Sequence, residues 1–408
     1  MPIQHGPSRD ELARDVVVLV PGFLGFARFG NFYYFADRVS AVLRGALEAR
    51  LGRPVPVVPC TILPTHGLAA RQRYVLAFLA ELMGKVPAVE RFHLVGHSTG
   101  GVDAQLLTCA PKANGVPWSA EDDVIRRRIR TVVTISAPHQ GTTLAETPLA
   151  QLFATGRVSL SAIAALARLG WDALRVLPTQ IEAPGALNPD WTPDIAKFVI
   201  QIFQKRKLAE DLRPDAMEAL RRNVQPDLPI TLSTIVTAAE PRADEERPSE
   251  PFFADLSALT ASVRHAPSDT VERTIGVLRR RIRSDVLIKS PLGLIPVSID
   301  ARLNDGIVNS ARQMVNTADP RELAAIVIAE HADVLGHYDR RDALIPGRVL
   351  NAGLFHSGAG FGDDEFFALY RRVAARIVDA MAHPSTGAAP LKVIASQRRR
   401  RQRSDTVE

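Results

Sequence analysis

Gly96-His97-Ser98-Thr99-Gly100 is a G-x-S-x-G pentapeptide. A serine hydroxyl becomes a nucleophile near neutral pH only when a neighbouring base takes its proton. Histidine suits that task because its pKa lies in the working range, and a carboxylate behind it sets the tautomer and stabilises the imidazolium. Backbone N–H groups must then hold the oxyanion, each contributing roughly 3–4 kcal/mol. The chain offers each part. Asp305 sits in the turn Asn304-Asp305-Gly306 just past an extended stretch read as a strand, and His331 follows a predicted last strand, Leu323 to Ala329, by two residues. Ten histidines are present, so position decides among them. His337, six residues beyond His331, is a rival base, and both readings stand at this level. His97 and His139 come too early in the chain to be the base and are expected near the site, whereas His93, inside a strand, reads as a packed core residue.

These groups need elements to carry them. Phe92, Leu94 and Val95 form a short apolar run suited to a buried strand. Val102, Leu106 and Leu107 follow the pentapeptide at helical spacing, so Ser98 falls at a strand-to-helix turn tight enough to strain its backbone. Asp15 to Val20 is a β-branched run that reads as another buried strand. It leads into Pro21-Gly22-Phe23-Leu24-Gly25, a turn whose N–H groups can face a ligand. The expected oxyanion donors are the N–H of Phe23 and that of Thr99, the residue after the nucleophile. A helix is expected from Tyr33 through Leu47, a proline-interrupted edge strand over 55–60, a helix over 68–84 and a strand over 131–136. The strand rhythm stops between 145 and 228, where apolar pieces at helical spacing read as an insertion: either a lid over a greasy channel or a static helical layer. It resumes at Pro229 to Val236, and the last helix is expected over 363–382.

The chain has 408 residues, 46% hydrophobic and 23% charged, in the range of a globular protein able to bury a large core. The net charge of +6 gathers partly at Arg398 to Arg401 and Arg403, read as a solvated disordered tail or as a contact for an anionic lipid surface; no nucleic-acid partner is expected. No apolar run is long enough to span a bilayer, and the first seven residues have no signal-peptide core, so a cytoplasmic protein is expected. Cys60 and Cys109 are the only cysteines, and nothing in their spacing demands a bridge.

Taken together these stretches resemble the bacterial triacylglycerol lipases of the α/β-hydrolase superfamily. The similarity is carried by Gly22 to Phe26 with Tyr34-Phe35, by Leu94 to Gly101, by Ser136 to Thr142, by Asp211 to Met217, by Asn304 to Val308 and by His331 to Val334. The resemblance implies an α/β-hydrolase fold, a mostly parallel central sheet with helices on both faces and a helical cap insertion. It implies a core in two parts, 1–144 and 229–383, a cap over 145–228 and a basic tail over 384–408. It implies the chain order nucleophile, acid, histidine, which Ser98, Asp305 and His331 obey. The implied activity is cleavage of acylglycerols or other hydrophobic esters, with no cofactor. Pro21-Gly22 replaces the family's usual His-Gly and is also similar to the lecithin:cholesterol acyltransferase-like branch, so acyl transfer stays open, as does a non-catalytic lipid- or partner-binding role. Secreted members hold a structural calcium near the histidine; Asp333 matches one ligand position, and Asp285 lies at a plausible spacing for another.

Overall fold

The computed structural model describes residues 14–23, 28–29, 32–62, 66–86, 88–147, 207–239, 251–263, 265–289, 296, 298–315, 322–338 and 357–382. Seven strands form the central sheet: β1 (Asp15–Val20), β2 (Val57–Pro59), β3 (Arg91–His97), β4 (Ile129–Ile135), β5 (Thr231–Ala238), β6 (Leu287–Ile288) and β7 (Leu323–Ile328). Their order is β6-β7-β5-β4-β3-β1-β2, and every neighbouring pair is parallel.

The β-branched run of β1 shows why the sheet is covered on both faces. All six of its residues are buried. Because side chains alternate along a strand, Val17 and Leu19 point to one face and Val16, Val18 and Val20 to the other. The first pair packs with helix α1 (Asp37–Leu51) and the C-terminal helix Asp363–Ala382, through Val39, Leu43, Phe366 and Tyr370. The other three pack against helix α2 (Leu68–Lys85), through Val75, Leu76 and Leu79. The proline-flanked strand β2 lies at the sheet edge, as its prolines require. The two-residue strand β6, at the opposite edge, is too short to leave an alternation in the sequence.

Two expectations are corrected. The first helix begins at Asp37, not Tyr33: Phe32–Tyr33 pairs antiparallel with Arg28–Phe29, and the backbone N–H of Ala36 donates to the Leu335 carbonyl at 3.0 Å, holding the approach extended. The stretch before Asp305 is not a strand of the sheet. It hangs from the carboxyl end of β5 by an isolated bridge between Ala239 and Asn304. Cys60 and Cys109 are both buried free thiols. Of the expected cap, residues 148–206 lie outside the described residues, as does the basic tail from 384. Residues 207–223 fold into helices Lys207–Asp211 and Pro214–Asn223, and their Leu208 and Met217, with Leu212 between the helices, pack on Leu68, Val102 and Leu106. No helix among the described residues is long and apolar enough to cross a membrane.

At the amino end of the sheet, His93 is buried as expected, but as part of a polar cluster. The fully buried Asp15 carboxylate accepts from Arg91 Nε at 2.6 Å, Arg91 Nη2 at 2.8 Å and His93 Nε2 at 3.1 Å, and it also pairs with Arg53. Burial alone would raise the Asp15 pKa, but the bonds from His93 and Arg91 outweigh it and hold the carboxyl well below the usual range. A carboxylate with a depressed folded pKa contributes stability above its unfolded pKa and loses it as pH falls through the folded one. Asp15→Asn is therefore expected to lower the unfolding free energy by about 2–3 kcal/mol at pH 7, a value discounted because both arginines are partly exposed. In urea titrations the gap from wild type should narrow once the pH drops below about 4. A gap that stays constant down to that pH would contradict the assignment.

Candidate active site

Strand β3 ends at His97, and helix α3 (Thr99–Leu106) starts one residue after Ser98. Ser98 takes φ 54° and ψ −132°, a conformation that costs a non-glycine residue roughly 1–3 kcal/mol. The flanking glycines permit it. A Cβ on Gly100 would stand 2.2 Å from the Val20 carbonyl oxygen, and one on Gly96 would stand 2.4 Å from that of Gly100. The Ser98 N–H donates to the Ile135 carbonyl at 2.8 Å. Thr99 is the first helical residue, so its N–H has no acceptor within the helix.

The predicted acid and base come together 26 residues apart in sequence. His331 Nδ1 lies 2.9 Å from Asp305 Oδ2. A carboxylate only accepts, so Nδ1 carries the proton and Nε2 is left with a lone pair. The backbone locks the pair: the His331 N–H donates to the Asp305 carbonyl at 2.8 Å, and Asp305 Oδ1 accepts from the N–H groups of Ile307 and Val308 at 3.1 and 2.9 Å. His337 is placed elsewhere. Its Nε2 donates to the Tyr34 carbonyl at 3.1 Å, so it ties the histidine loop to the approach to α1.

His97 links three loops. Its Nε2 faces the His331 carbonyl oxygen at 3.0 Å and must be the protonated nitrogen, so Nδ1 accepts from the Tyr34 hydroxyl at 2.7 Å. Burial, reinforced by the neighbouring His331, pushes the His97 pKa well below its ordinary value, so the ring stays neutral. Its centroid lies 4.6 Å from that of His331. Gly22 closes the other side: a Cβ there would meet the Tyr34 hydroxyl at 2.4 Å and Ser98 Cβ at 2.7 Å. His139 is fully buried, with Nε2 3.1 Å from Thr134 Oγ1 and Nδ1 accepting from Arg221 at 3.0 Å.

The turn bearing Phe23 is held from behind by Arg71, which the sequence reading missed. Arg71 is fully buried; its Nε donates to Asp103 Oδ2 at 2.8 Å, and its Nη2 donates to the carbonyls of Pro21 and Gly22 at 3.0 and 3.2 Å. In a trans peptide the N–H points opposite to the C=O. The Gly22 carbonyl faces Arg71, so the N–H of Phe23 is turned away from it. Burial raises the Asp103 carboxyl to about 6 despite the attraction of Arg71. Nothing in sequence spacing marks an arginine on α2 as the partner of an aspartate on α3. Thr237 and Gln313 were missed for the same reason, and Tyr34, which carries part of the resemblance, was given no role at the site.

No protein-family model and no curated protein matches this sequence. Among solved structures the chain is similar to lipase 1 from Pelosinus fermentans, at 17% identity, TM-score 0.50, 92% of this chain and 100% of that one. It is also similar to Staphylococcus hyicus lipase, at 15% identity, TM-score 0.48, 94% of this chain and 100% of that one. A third is EstA from Clostridium botulinum, at 18% identity, TM-score 0.47, 89% of this chain and 87% of that one. The fold is that of the α/β hydrolases. In this α/β-hydrolase fold Ser98 follows the carboxyl end of β3 and His331 that of β7, while Asp305 follows Asn304, which is bridged to Ala239 at the carboxyl end of β5. That is the edge of an open parallel sheet where sites form.

The calcium ligands implied by the resemblance do not fit this arrangement. Asp333 follows the carboxyl end of β7, with Oδ2 accepting from the Glu330 N–H at 2.8 Å and the Ser357 hydroxyl at 2.7 Å. Asp285 lies at the other end of that strand, in a cavity of about 380 Å³ lined by Leu323, Arg281, Arg372, Arg376 and Asp379. Two carboxylates at opposite ends of one strand cannot share an ion.

Proposed function

We propose that the protein is a serine carboxylic-ester hydrolase acting on acylglycerols or other hydrophobic esters. The observation that carries the reading is the 2.9 Å contact between Asp305 and His331, in a fold whose nucleophile turn holds Ser98 at φ 54°. Ser98 Oγ attacks the ester carbonyl carbon while His331 Nε2 takes its proton. The N–H groups of Phe23 and Thr99 receive the oxyanion, and Asp305 stabilises the imidazolium. The tetrahedral intermediate expels the alcohol, which takes the proton from His331, and leaves Ser98 acylated. Water then attacks the acyl group with His331 again as base, releasing the acid and restoring the serine. The hydrophobic acyl chain is inferred from the lipase resemblance and the apolar periodicity within 145–228.

A serine-directed fluorophosphonate, read by intact mass, tests the reading together with p-nitrophenol release from short and long acyl esters. Wild type should label once, at Ser98, and hydrolyse the esters; Ser98→Ala should do neither. His331→Ala should lose turnover while His337→Ala, if folded, keeps it. Adding an alcohol acceptor separates hydrolysis from acyl transfer, since a transferase would yield the new ester in place of the free acid. A folded wild type that neither labels nor turns over with detergent present would leave a binding protein on this fold.

A further inference from the structure

The stretch Ser136 to Thr142, singled out in the sequence, has no part in the proposed chemistry so far. Ser136 is the other non-glycine residue besides Ser98 with positive φ among the described residues, at 53°, and it is fully buried at the end of β4. Strain of this kind persists where surrounding structure enforces it and clusters at working sites. Its side chain meets Thr237, near the end of β5, with the two hydroxyl oxygens 2.8 Å apart. Thr237 Oγ1 is also 2.5 Å from Asp305 Oδ2 and 3.2 Å from Gln313 Oε1.

A threonine hydroxyl has one proton. The shortest contact, to a carboxylate oxygen, is where a charge-assisted bond forms. Thr237 therefore donates to Asp305, and the 2.8 Å contact is a bond donated by Ser136. Gln313 completes the cradle: its Nε2 donates to Asp305 Oδ2 at 3.3 Å, and its Oε1 accepts from the Thr237 N–H at 2.8 Å. Ser136, Thr237, Gln313 and Asp305 are all without solvent exposure, so no water substitutes for a lost partner without rearrangement.

We propose that Ser136 and Thr237 form a directed hydroxyl chain that orients the Asp305 carboxylate toward His331, and that both are positioning residues of the ester-cleaving machinery. This rests on the proposed function. Oδ2 takes three donors, and only the one from His331 belongs to the triad. The Thr237 bond restrains rotation of the carboxylate and draws off part of its charge. Without it, Oδ2 would bind the His331 Nδ1 proton more strongly in a less fixed geometry. The strained serine is then retained because glycine, the relaxed residue at that φ, has no hydroxyl to set the direction of the chain.

The test is the second-order rate of Ser98 labelling by a fluorophosphonate at pH 7, in wild type, Thr237→Val, Thr237→Ser and Ser136→Gly. The far-downfield proton resonance of His331 Nδ1 is recorded alongside. Thr237→Val keeps the shape and should label about tenfold more slowly, with that resonance moved downfield; Thr237→Ser should restore both. Ser136→Gly should shift both readouts in the same direction by less, while unfolding at no lower temperature than wild type. That pairing cannot come from a structural defect, and it carries the test if Thr237→Val does not fold. Wild-type rates and resonance positions in folded Thr237→Val or in Ser136→Gly would overturn the chain. A wild type that does not label at Ser98 would instead overturn the proposed function.

Discussion

Asp305→Asn is expected to leave the protein folded and to lower kcat for ester hydrolysis by about 10⁴-fold. The two carboxylate oxygens have different partners, and that decides the outcome. Oδ1 accepts from the backbone N–H groups of Ile307 and Val308, which no rotation of the side chain can remove. In the asparagine the carbonyl oxygen must take that place, so the amide NH₂ faces His331 Nδ1. The ring then accepts at Nδ1 and carries its proton on Nε2, the tautomer unable to take a proton from Ser98. The NH₂ also confronts Gln313 Nε2, 3.3 Å from the former oxygen, so a modest loss of stability accompanies the loss of rate. Steady-state kinetics with a p-nitrophenyl ester, beside a thermal melt, check both. A fall below tenfold in a folded variant would remove Asp305 from the triad.

Gly100→Ala is expected to destabilise the protein by more than about 4 kcal/mol or to prevent folding, an effect far above that of an ordinary substitution. The new methyl group would stand 2.2 Å from the Val20 carbonyl oxygen and 2.5 Å from that of Pro21. Both are main-chain atoms at the end of a central strand, and neither can move without shifting the turn that bears Phe23. The same substitution at Gly45 has the opposite sign. Gly45 lies within α1, and a Cβ there meets nothing within 4 Å. Gly45→Ala should stabilise by about 0.5–1 kcal/mol, because alanine is the better helix former. Urea unfolding of the two variants measures the contrast. A Gly100→Ala protein within about 1 kcal/mol of wild type would mean that the helix does not approach β1 as closely as described.

The sequence by itself determined the local units. Fully buried strands show as β-branched runs because a parallel sheet covered on both faces leaves no polar side, and Asp15 to Val20 and Thr131 to Ile135 could be read directly. Pro56 and Pro59 marked an edge strand because proline lacks the N–H a central strand requires. The strand-turn-helix around Ser98 was legible because its tightness demands small residues at fixed spacing on either side. Chain order and the position after the last strand pointed to Asp305 and His331.

Only the tertiary structure decided how these units meet. His331 and His337 lie on one short segment and look alike in sequence; the fold gives one the Asp305 carboxylate and the other the Tyr34 carbonyl. Asp305 is positioned through its neighbour Asn304, whose isolated bridge to Ala239 has no periodicity to read. Arg71 reaches Asp103 and the turn at Gly22, and Thr237 reaches Asp305 across 68 residues of chain. The reason is common to all of them. Hydrophobic burial and backbone pairing act through regular spacing and so leave periodic traces, whereas a buried polar group needs one partner at one distance, and any segment that the fold brings there can supply it.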